Sequence, residues 1–297
     1  MNEFRKYMHV ERLGTREVEG ILEGVCLIFS KIDGTNSQVF WNKETNEINA
    51  GSRNRILSLE SDNAGFYRHI KEDVNITKFL STYPDYIIYS EWLKPHSLRT
   101  YIDDAWSHFY VFDVYNTLTE RYLSYEEYSK LLDEYNIEYI KLLTTRVNPT
   151  LEDLQEDLQN NKYLIKEGEG IGEGIVIKNY EFVNKYGRTT WAKMIADTFD
   201  NGVKRKLVKL TVLGELEVSI VDKYVTSHLV EKVYAKIAID GWESKMIERL
   251  LETVFHDLIN EEMYDILKKF KNPIINFKSL KTLTILKIKE LKKELFS

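Results

Sequence analysis

Apolar and polar positions follow two different rhythms along this chain, and the change falls near residue 200. In the first part, short runs dense in β-branched and aromatic residues recur: Val25-Cys26-Leu27-Ile28-Phe29, Tyr86-Ile87-Ile88-Tyr89-Ser90, Phe109-Tyr110-Val111-Phe112-Asp113-Val114-Tyr115 and Gly174-Ile175-Val176-Ile177-Lys178. Runs of this length and composition predict buried strands. Asn36 to Trp41 and Glu47 to Ala50 flank a polar turn, which predicts a hairpin. Ser124-Tyr125-Glu126-Glu127 has the spacing of a capping box before a helix to about Tyr135. Thr150 is placed to cap a second helix, Leu151 to Asn160. Strands and helices do not alternate regularly, so the expectation is an α+β domain of mostly antiparallel strands and not a doubly wound sheet.

From about residue 205 the apolar positions fall at helical spacing: Val225, Leu229, Val233, Ile237, then Trp242, Met246, Leu250, Val254, Leu258, then Leu280 onward to Leu295. The chain is therefore expected to divide into residues 1–202 and a small all-helical domain, 203–297, with Asp200-Asn201-Gly202 as hinge. No internal repeat or low-complexity segment is evident.

Composition narrows the picture. The chain has 297 residues, enough for one large or two medium domains. Its formal net charge of −6 excludes a global basic field, so any grip on nucleic acid must be local. Cys26 is the only cysteine, which rules out an internal disulfide and fits a reducing compartment. No apolar run approaches the ~20 residues of a membrane span, and the charged N-terminus lacks a signal-peptide core. A cytoplasmic protein (host cytoplasm for a viral chain) without membrane association is expected.

Against that background Lys31-Ile32-Asp33-Gly34-Thr35-Asn36 stands out, because it follows a predicted buried strand. A strand end holds an amine in fixed geometry, which suits a lysine nucleophile. Alone the pattern is weak, and a solvated strand-end lysine is the competing reading. Further candidates follow in order. Arg53 and Arg55, just past the hairpin, could grip phosphate or ribose, or be a solvated edge. Glu91 ends a strand beside Trp92 and could accept from a sugar hydroxyl, or be a surface charge. Asp113 lies in an apolar strand and must be paired. By alternation Phe112 and Asp113 should face opposite ways, and Phe112 is either a base-stacking platform or core. Glu167 to Gly172 is rejected as a phosphate loop, since it carries carboxylates and leads into a strand. It reads better as a turn delivering Glu173, a carboxylate suited to Mg²⁺. Trp191 and Lys193 should share one face of a strand, where Lys193 could neutralise a phosphoryl group or be solvated. The six histidines show no metal-ligand spacing.

Taken together, these elements resemble the covalent nucleotidyltransferase superfamily of ATP-dependent DNA ligases, RNA ligases and mRNA capping enzymes. Lys31-Ile32-Asp33-Gly34 is similar to motif I, Ser52-Arg53 to motif Ia, Ser90-Glu91-Trp92 to motif III, and Val111-Phe112-Asp113-Val114 to motif IIIa. Glu173-Gly174-Ile175-Val176-Ile177-Lys178 is similar to motif IV and Trp191-Ala192-Lys193-Met194 to a degenerate motif V. The asparagine after Gly34-Thr35 and the helical C-terminal region are closest to the RNA ligases, notably the bacteriophage type that seals nicked double-stranded RNA. The chain departs from that type at Ser30, where the group has a glutamate, and at Trp191, where it has a lysine.

The resemblance implies an ATP-grasp-like nucleotidyltransferase domain with antiparallel sheets, followed by the helical domain. It implies that Lys31 attacks the α-phosphorus of ATP to give a lysyl-adenylate, that AMP passes to an RNA 5′-phosphate, and that a 3′-hydroxyl displaces it. Lys31, Asp33, Glu173 and Lys193 are then catalytic. Glu173 and Asp33 hold Mg²⁺ or Mn²⁺. Glu91 meets the ribose, Phe112 the adenine face, Arg53 ribose or phosphate, and Asn36 phosphate or the incoming end. Ser30, Ile32, Lys178 and Trp191 complete the nucleotide-binding set. The implied partners are RNA ends, in a nicked duplex or a broken tRNA loop, handled by a monomer. Lys278, Lys281, Lys287, Lys289, Lys292 and Lys293 offer a local basic patch or a solvated face. A DNA ligase, a GTP-using capping enzyme and a non-catalytic end-binding protein are the rival readings.

Overall fold

The structure, a computed structural model, describes residues 4–95, 100–196, 215–239 and 241–296. The expected hinge, Asp200 to Gly202, and the boundary at 202/203 lie outside the described residues. The described chain forms two compact units, one from residues up to 94 with 100–196 and one from residue 215 onward.

The first unit is α+β. One sheet contains β1 (Glu11–Arg12), β2 (Val25–Lys31), β8 (Leu142–Val147), β9 (Gly174–Lys178) and β10 (Ala192–Ile195) in the order β1-β10-β9-β2-β8. All pairs are antiparallel except β1 with β10. The second sheet contains β3 (Thr35–Asn42), β4 (Glu47–Ser52), β5 (Tyr86–Leu93), β6 (His108–Asn116) and β7 (Arg121–Tyr122) in the order β4-β3-β5-β6-β7, antiparallel throughout. The expected hairpin is β3–β4. Its turn closes because the Asn42 side chain accepts from the Glu44 and Thr45 N–H groups and Asn46 takes the left-handed conformation that asparagine tolerates.

Each sheet has two buried faces. The outer face of the second sheet packs Val39, Ile88, Trp92 and Val111 against α1 (Phe66–Glu72), α2 (Val74–Thr82) and α3 (Tyr125–Glu134). The outer face of the first packs Ile28, Ile175 and Ile177 against α4 (Leu151–Gln159). The predicted capping box of Ser124 with Glu127 forms on α3, and Thr150 caps α4 as expected, its partner Asp153 completing a second, unanticipated box. Arg121 is the main reason the Glu127 carboxyl is held down at about 2. The inner faces meet through Phe40, Ile87, Tyr89 and Tyr115 of one sheet and Val176 of the other, with Trp191 just before β10.

The second unit is helical: α5 (Glu215–Tyr224), α6 (Ser227–Ile237), α7 (Ile247–Lys269) and α8 (Phe277–Leu291). Ile220, Val230, Leu250, Val254, Leu258, Leu280 and Ile288 form its core, at the spacing that brings one stripe of each helix inward. Among the described residues no helix is long and apolar enough to cross a membrane.

Candidate active site

Register places the candidate residues before any side chain is considered. In an antiparallel pair, facing residues project to the same side. Lys31 faces Gly174, Phe29 faces Val176, and Val176 faces Lys193. Val176 belongs to the core between the sheets, so Lys31 and Lys193 project from the inner face of the first sheet. Across from them, Asn36 of β3 faces Glu91 of β5, on the inner face of the second sheet shared with Phe40 and Ile87. Four strands, β2, β10, β3 and β5, thus bring a lysine, a second lysine, an asparagine and a glutamate to the space between the sheets. Glu91, expected to end its strand, lies inside β5, which runs on through Trp92 to Leu93.

Lys31 Nζ lies 2.6 Å from Glu173 Oε2. The lysine side chain is 26% exposed and that of Glu173 12%, so the pair is sheltered and still reachable. Glu173 immediately precedes β9, and Gly174 behind it is obligatory: a Cβ there would lie 2.4 Å from the Met194 carbonyl oxygen.

The turn after Lys31 is clamped at successive backbone groups. The Asp33 N–H donates to the Tyr101 hydroxyl at 2.7 Å, and the Gly34 N–H donates to Glu91 Oε1 at 3.0 Å. Gly34 sits so close to β5 that a Cβ would meet the Trp92 carbonyl oxygen at 2.6 Å. Tyr101 is buried, and the charges of three carboxylates act on its phenol. Burial first, and then the charges of Asp33, Glu173 and Glu91, hold its phenol well above the usual range, against the pull of the Asp33 N–H. Sequence reasoning missed Tyr101, because it lies between two motifs and nothing in its local pattern marks it.

The structure corrects the expected facing of Phe112 and Asp113. Tyr89 pairs with Asp113 and Ser90 with Val111, so Phe112 is the extra residue of a β-bulge and strict alternation fails there. Both residues meet Tyr7: its ring lies edge-on to Phe112 at 5.0 Å, and its hydroxyl donates to Asp113 Oδ2 at 2.5 Å. Asp113 is paired, as its apolar setting requires. Lys178 Nζ donates to Asp113 Oδ1 at 2.8 Å and to the Phe112 carbonyl oxygen at 2.5 Å, and the Trp191 indole N–H donates to Oδ2 at 3.1 Å. Lys178 and Trp191, expected beside the nucleotide, are both buried in this network. Lys178 holds the Phe112 backbone through its carbonyl oxygen, and Trp191 holds the neighbouring Asp113.

The remaining expected residues are distributed as follows. Ile32 is buried in the core with Phe29, Leu93 and Tyr110, which leaves only its backbone to meet a ligand. Ser30 faces Ile175, on the side of the first sheet away from Lys31, and its hydroxyl has no hydrogen-bond partner among the described residues. Arg53 lies beyond the end of β4, its guanidinium 3.2 Å from His9 Nδ1. Of the two carboxylates expected to hold a metal, Glu173 reaches solvent and Asp33, 4% exposed, is buried. Among the described residues no three acidic, imidazole or thiol groups converge as an all-protein metal cage. Glu173, whose carboxylate reaches solvent beside Lys31, still fits a hard divalent cation of the kind that takes its remaining ligands from substrate phosphates. In the helical unit, Lys281 pairs with Glu252, Lys287 with Asp222, and Lys292 with Glu231, so three of the six patch lysines already hold carboxylates.

Comparison with known proteins adds the following. The RNA ligase family model matches residues 25–195. A solved Naegleria gruberi RNA ligase with PPi shares 18% identity at a TM-score of 0.51, covering 66% of this chain and 57% of that one. A variant of the same ligase with ATP and Mn gives 18% identity and a TM-score of 0.51, covering 65% and 56%. An Aquifex aeolicus protein described as a candidate ATP-dependent DNA ligase shares 18% identity at a TM-score of 0.49, covering 90% of this chain and 68% of that one. The chain therefore spans under two thirds of the length of the Naegleria ligase. No curated protein matches it.

Proposed function

The chain belongs to the RNA ligase family, and on that premise we propose that it joins RNA 3′-hydroxyl and 5′-phosphate ends through a lysyl-adenylate and an adenylated RNA. The observation that carries this reading is Lys31 Nζ at 2.6 Å from Glu173 Oε2, on the same inner sheet face as Lys193. A strand-end amine beside a carboxylate and a second cation is the equipment of phosphoryl transfer, in which positioning and charge do most of the work.

Lys31 attacks the α-phosphorus of ATP: the Nζ–P bond forms, the bond to the leaving pyrophosphate breaks, and the amine proton is lost to solvent or a neighbouring base. Glu173 orients the amine before attack. Lys193, from its inner-face position, neutralises charge gathering on the α-phosphate. Phe112 offers its ring to adenine, held in place by Lys178 on its carbonyl and Tyr7 on its edge. Glu91 serves twice, bonding the Gly34 N–H and presenting its other oxygen toward ribose. A divalent cation, Mg²⁺ or Mn²⁺, held by Glu173, would supply charge neutralisation at the phosphates. AMP then passes from Lys31 to an RNA 5′-phosphate, and a 3′-hydroxyl displaces it to form the phosphodiester.

The test is incubation of the full chain with α-labelled ATP or GTP and Mg²⁺ or Mn²⁺, followed by chase with RNA or DNA ends. Label on the wild-type protein from ATP, absent in Lys31→Ala and transferred to RNA 5′-phosphate ends, supports the reading. Label retained in Lys31→Ala, or transfer to DNA alone, overturns it.

A further inference from the structure

We propose that Tyr101 is a positioning residue for the lysine nucleophile, acting through the backbone of the turn that follows Lys31 and selectively on the first chemical step. The proposal rests on the adenylylation reading above. It concerns a residue inside the matched span but outside every motif that carries the resemblance.

The geometry is specific. Lys31 closes β2, and two residues later the chain must turn toward β3. A free turn would let the lysine stem swing. Here the Asp33 N–H is fixed by the Tyr101 hydroxyl at 2.7 Å and the Gly34 N–H by Glu91 at 3.0 Å, so two successive peptide planes are held by side chains. The Glu91 clamp comes from a paired strand. The Tyr101 clamp comes from a segment secured independently of β5. The Ile102 N–H donates to the Leu164 carbonyl at 2.8 Å, the Lys166 N–H donates to the Thr100 carbonyl at 2.8 Å, and Tyr101 forms an isolated bridge with Ile165. Trp106 stands at right angles to the Tyr101 ring with centroids 5.3 Å apart, which limits its rotation. The hydroxyl is thus a fixed point anchored outside both sheets, and the Lys31 turn hangs from it.

This arrangement affects the steps unequally. Attack on ATP needs the Lys31 amine aligned, and small misplacements of a nucleophile cost rate steeply. Closure of the phosphodiester uses an RNA hydroxyl as nucleophile, with Lys31 no longer the attacking group. Loss of the Tyr101 hydroxyl should therefore slow lysyl-adenylate formation while sparing the sealing of RNA that is already adenylated.

The variant is Tyr101→Phe, which keeps the ring and its contact with Trp106. Three quantities are measured on the full chain: the single-turnover rate of label transfer from ATP to protein, its dependence on ATP concentration, and the rate of sealing a pre-adenylated RNA strand. The expected result is an adenylylation rate at saturating ATP lower by about tenfold or more, with half-saturation and sealing of the pre-adenylated strand changed by less than about threefold. No change in adenylylation, or equal loss at both steps, overturns the proposal, since a merely structural role would lower both together. If Tyr101→Phe fails to fold, Trp106→Phe, which retains the hydroxyl but loosens the ring, is measured instead. It should show the same selective loss in smaller degree, and a uniform loss or none overturns the proposal. A wild-type chain that takes no label overturns the ligase reading itself, and is thereby distinguished from a failure confined to Tyr101.

Discussion

Lys178 Nζ lies 2.8 Å from Asp113 Oδ1, with both side chains almost wholly removed from water. The pair joins β9 to β6, and so ties the sheet that carries Lys31 and Glu173 to the strand that carries Phe112. Burial lowers the Lys178 ammonium against the opposing pull of Asp113. Removing one partner leaves the other charge buried without compensation, which costs about 3–5 kcal/mol. Asp113→Ala also removes the acceptor of Tyr7 and Trp191. Either Asp113→Ala or Lys178→Met should lower the urea midpoint strongly, and the double variant Asp113→Leu/Lys178→Met should recover part of that loss. Single variants with an unchanged midpoint would show that the network carries no stability.

Much of this arrangement could be read before any coordinates. Val25 to Phe29, Tyr86 to Ser90 and Gly174 to Lys178 are strands because their composition suits burial on both faces, and the sheets do bury both. Lys31, Glu173 and Lys193 were legible as polar residues at or beside strand ends, a local property, and Glu91 as a polar residue in an apolar strand, although that strand continues past it to Leu93. What escaped was non-local. The bulge at Phe112 is fixed by the pairing of Tyr89 and Ser90 with β6, which no single strand encodes. Lys178 falls in the expected nucleotide-binding set because its partner, Asp113, is distant in sequence. A buried aspartate that demands a cation and a strand-end lysine in another apolar run could have been matched. Tyr101 had no such signal.

Gly34 is a stringent point in the turn. A Cβ there would lie 2.6 Å from the Trp92 carbonyl oxygen and 2.9 Å from Glu91 Cγ. The first is backbone of a paired strand and cannot yield cheaply. Gly34→Ala should displace the turn by a few tenths of an ångström or more, destabilise the fold by about 1–3 kcal/mol, and slow covalent adenylylation by roughly 100-fold. The check is the labelling rate together with the unfolding midpoint. A Gly34→Ala chain that labels at the wild-type rate would show that the close approach to β5 does not position Lys31.

Alkaline pH should destabilise the fold. Tyr7, Tyr101 and Tyr128 are buried phenols, each held well above the usual range, chiefly by burial. The unfolded chain loses these protons near pH ~10 while the folded chain keeps them. Their contribution is therefore complete below that pH and is lost as pH rises, at about 1.4 kcal/mol per pH unit for each group. Lys178 acts in the opposite sense: its folded-state value is lowered, so stability rises with pH until the unfolded lysine has itself deprotonated near ~10.4. Above that point only the tyrosine effect remains. Urea midpoints measured from pH 8 to 11 should fall steeply at the alkaline end. A flat profile would mean that these phenols ionise in the folded state.

The helical unit offers two sets of lysines that the sequence does not distinguish. Lys281, Lys287 and Lys292 already hold Glu252, Asp222 and Glu231. Lys278, Lys289 and Lys293 are exposed. A lysine that neutralises a phosphate releases a counterion, and its removal flattens the dependence of binding on salt by about 0.7–0.9 in log–log slope. A lysine that already holds a carboxylate has less charge to offer and must give up that partner first. If this unit contacts the RNA backbone, alanine at Lys278, Lys289 and Lys293 together should weaken binding of a nicked RNA duplex and flatten its salt dependence. Alanine at Lys281, Lys287 and Lys292 should change the slope little while lowering the unfolding midpoint, most at Lys292, whose side chain is 9% exposed. Equal slopes for the two triple variants would mean that phosphates compete successfully for the paired lysines. An unchanged slope in both would place the RNA contacts elsewhere on the chain.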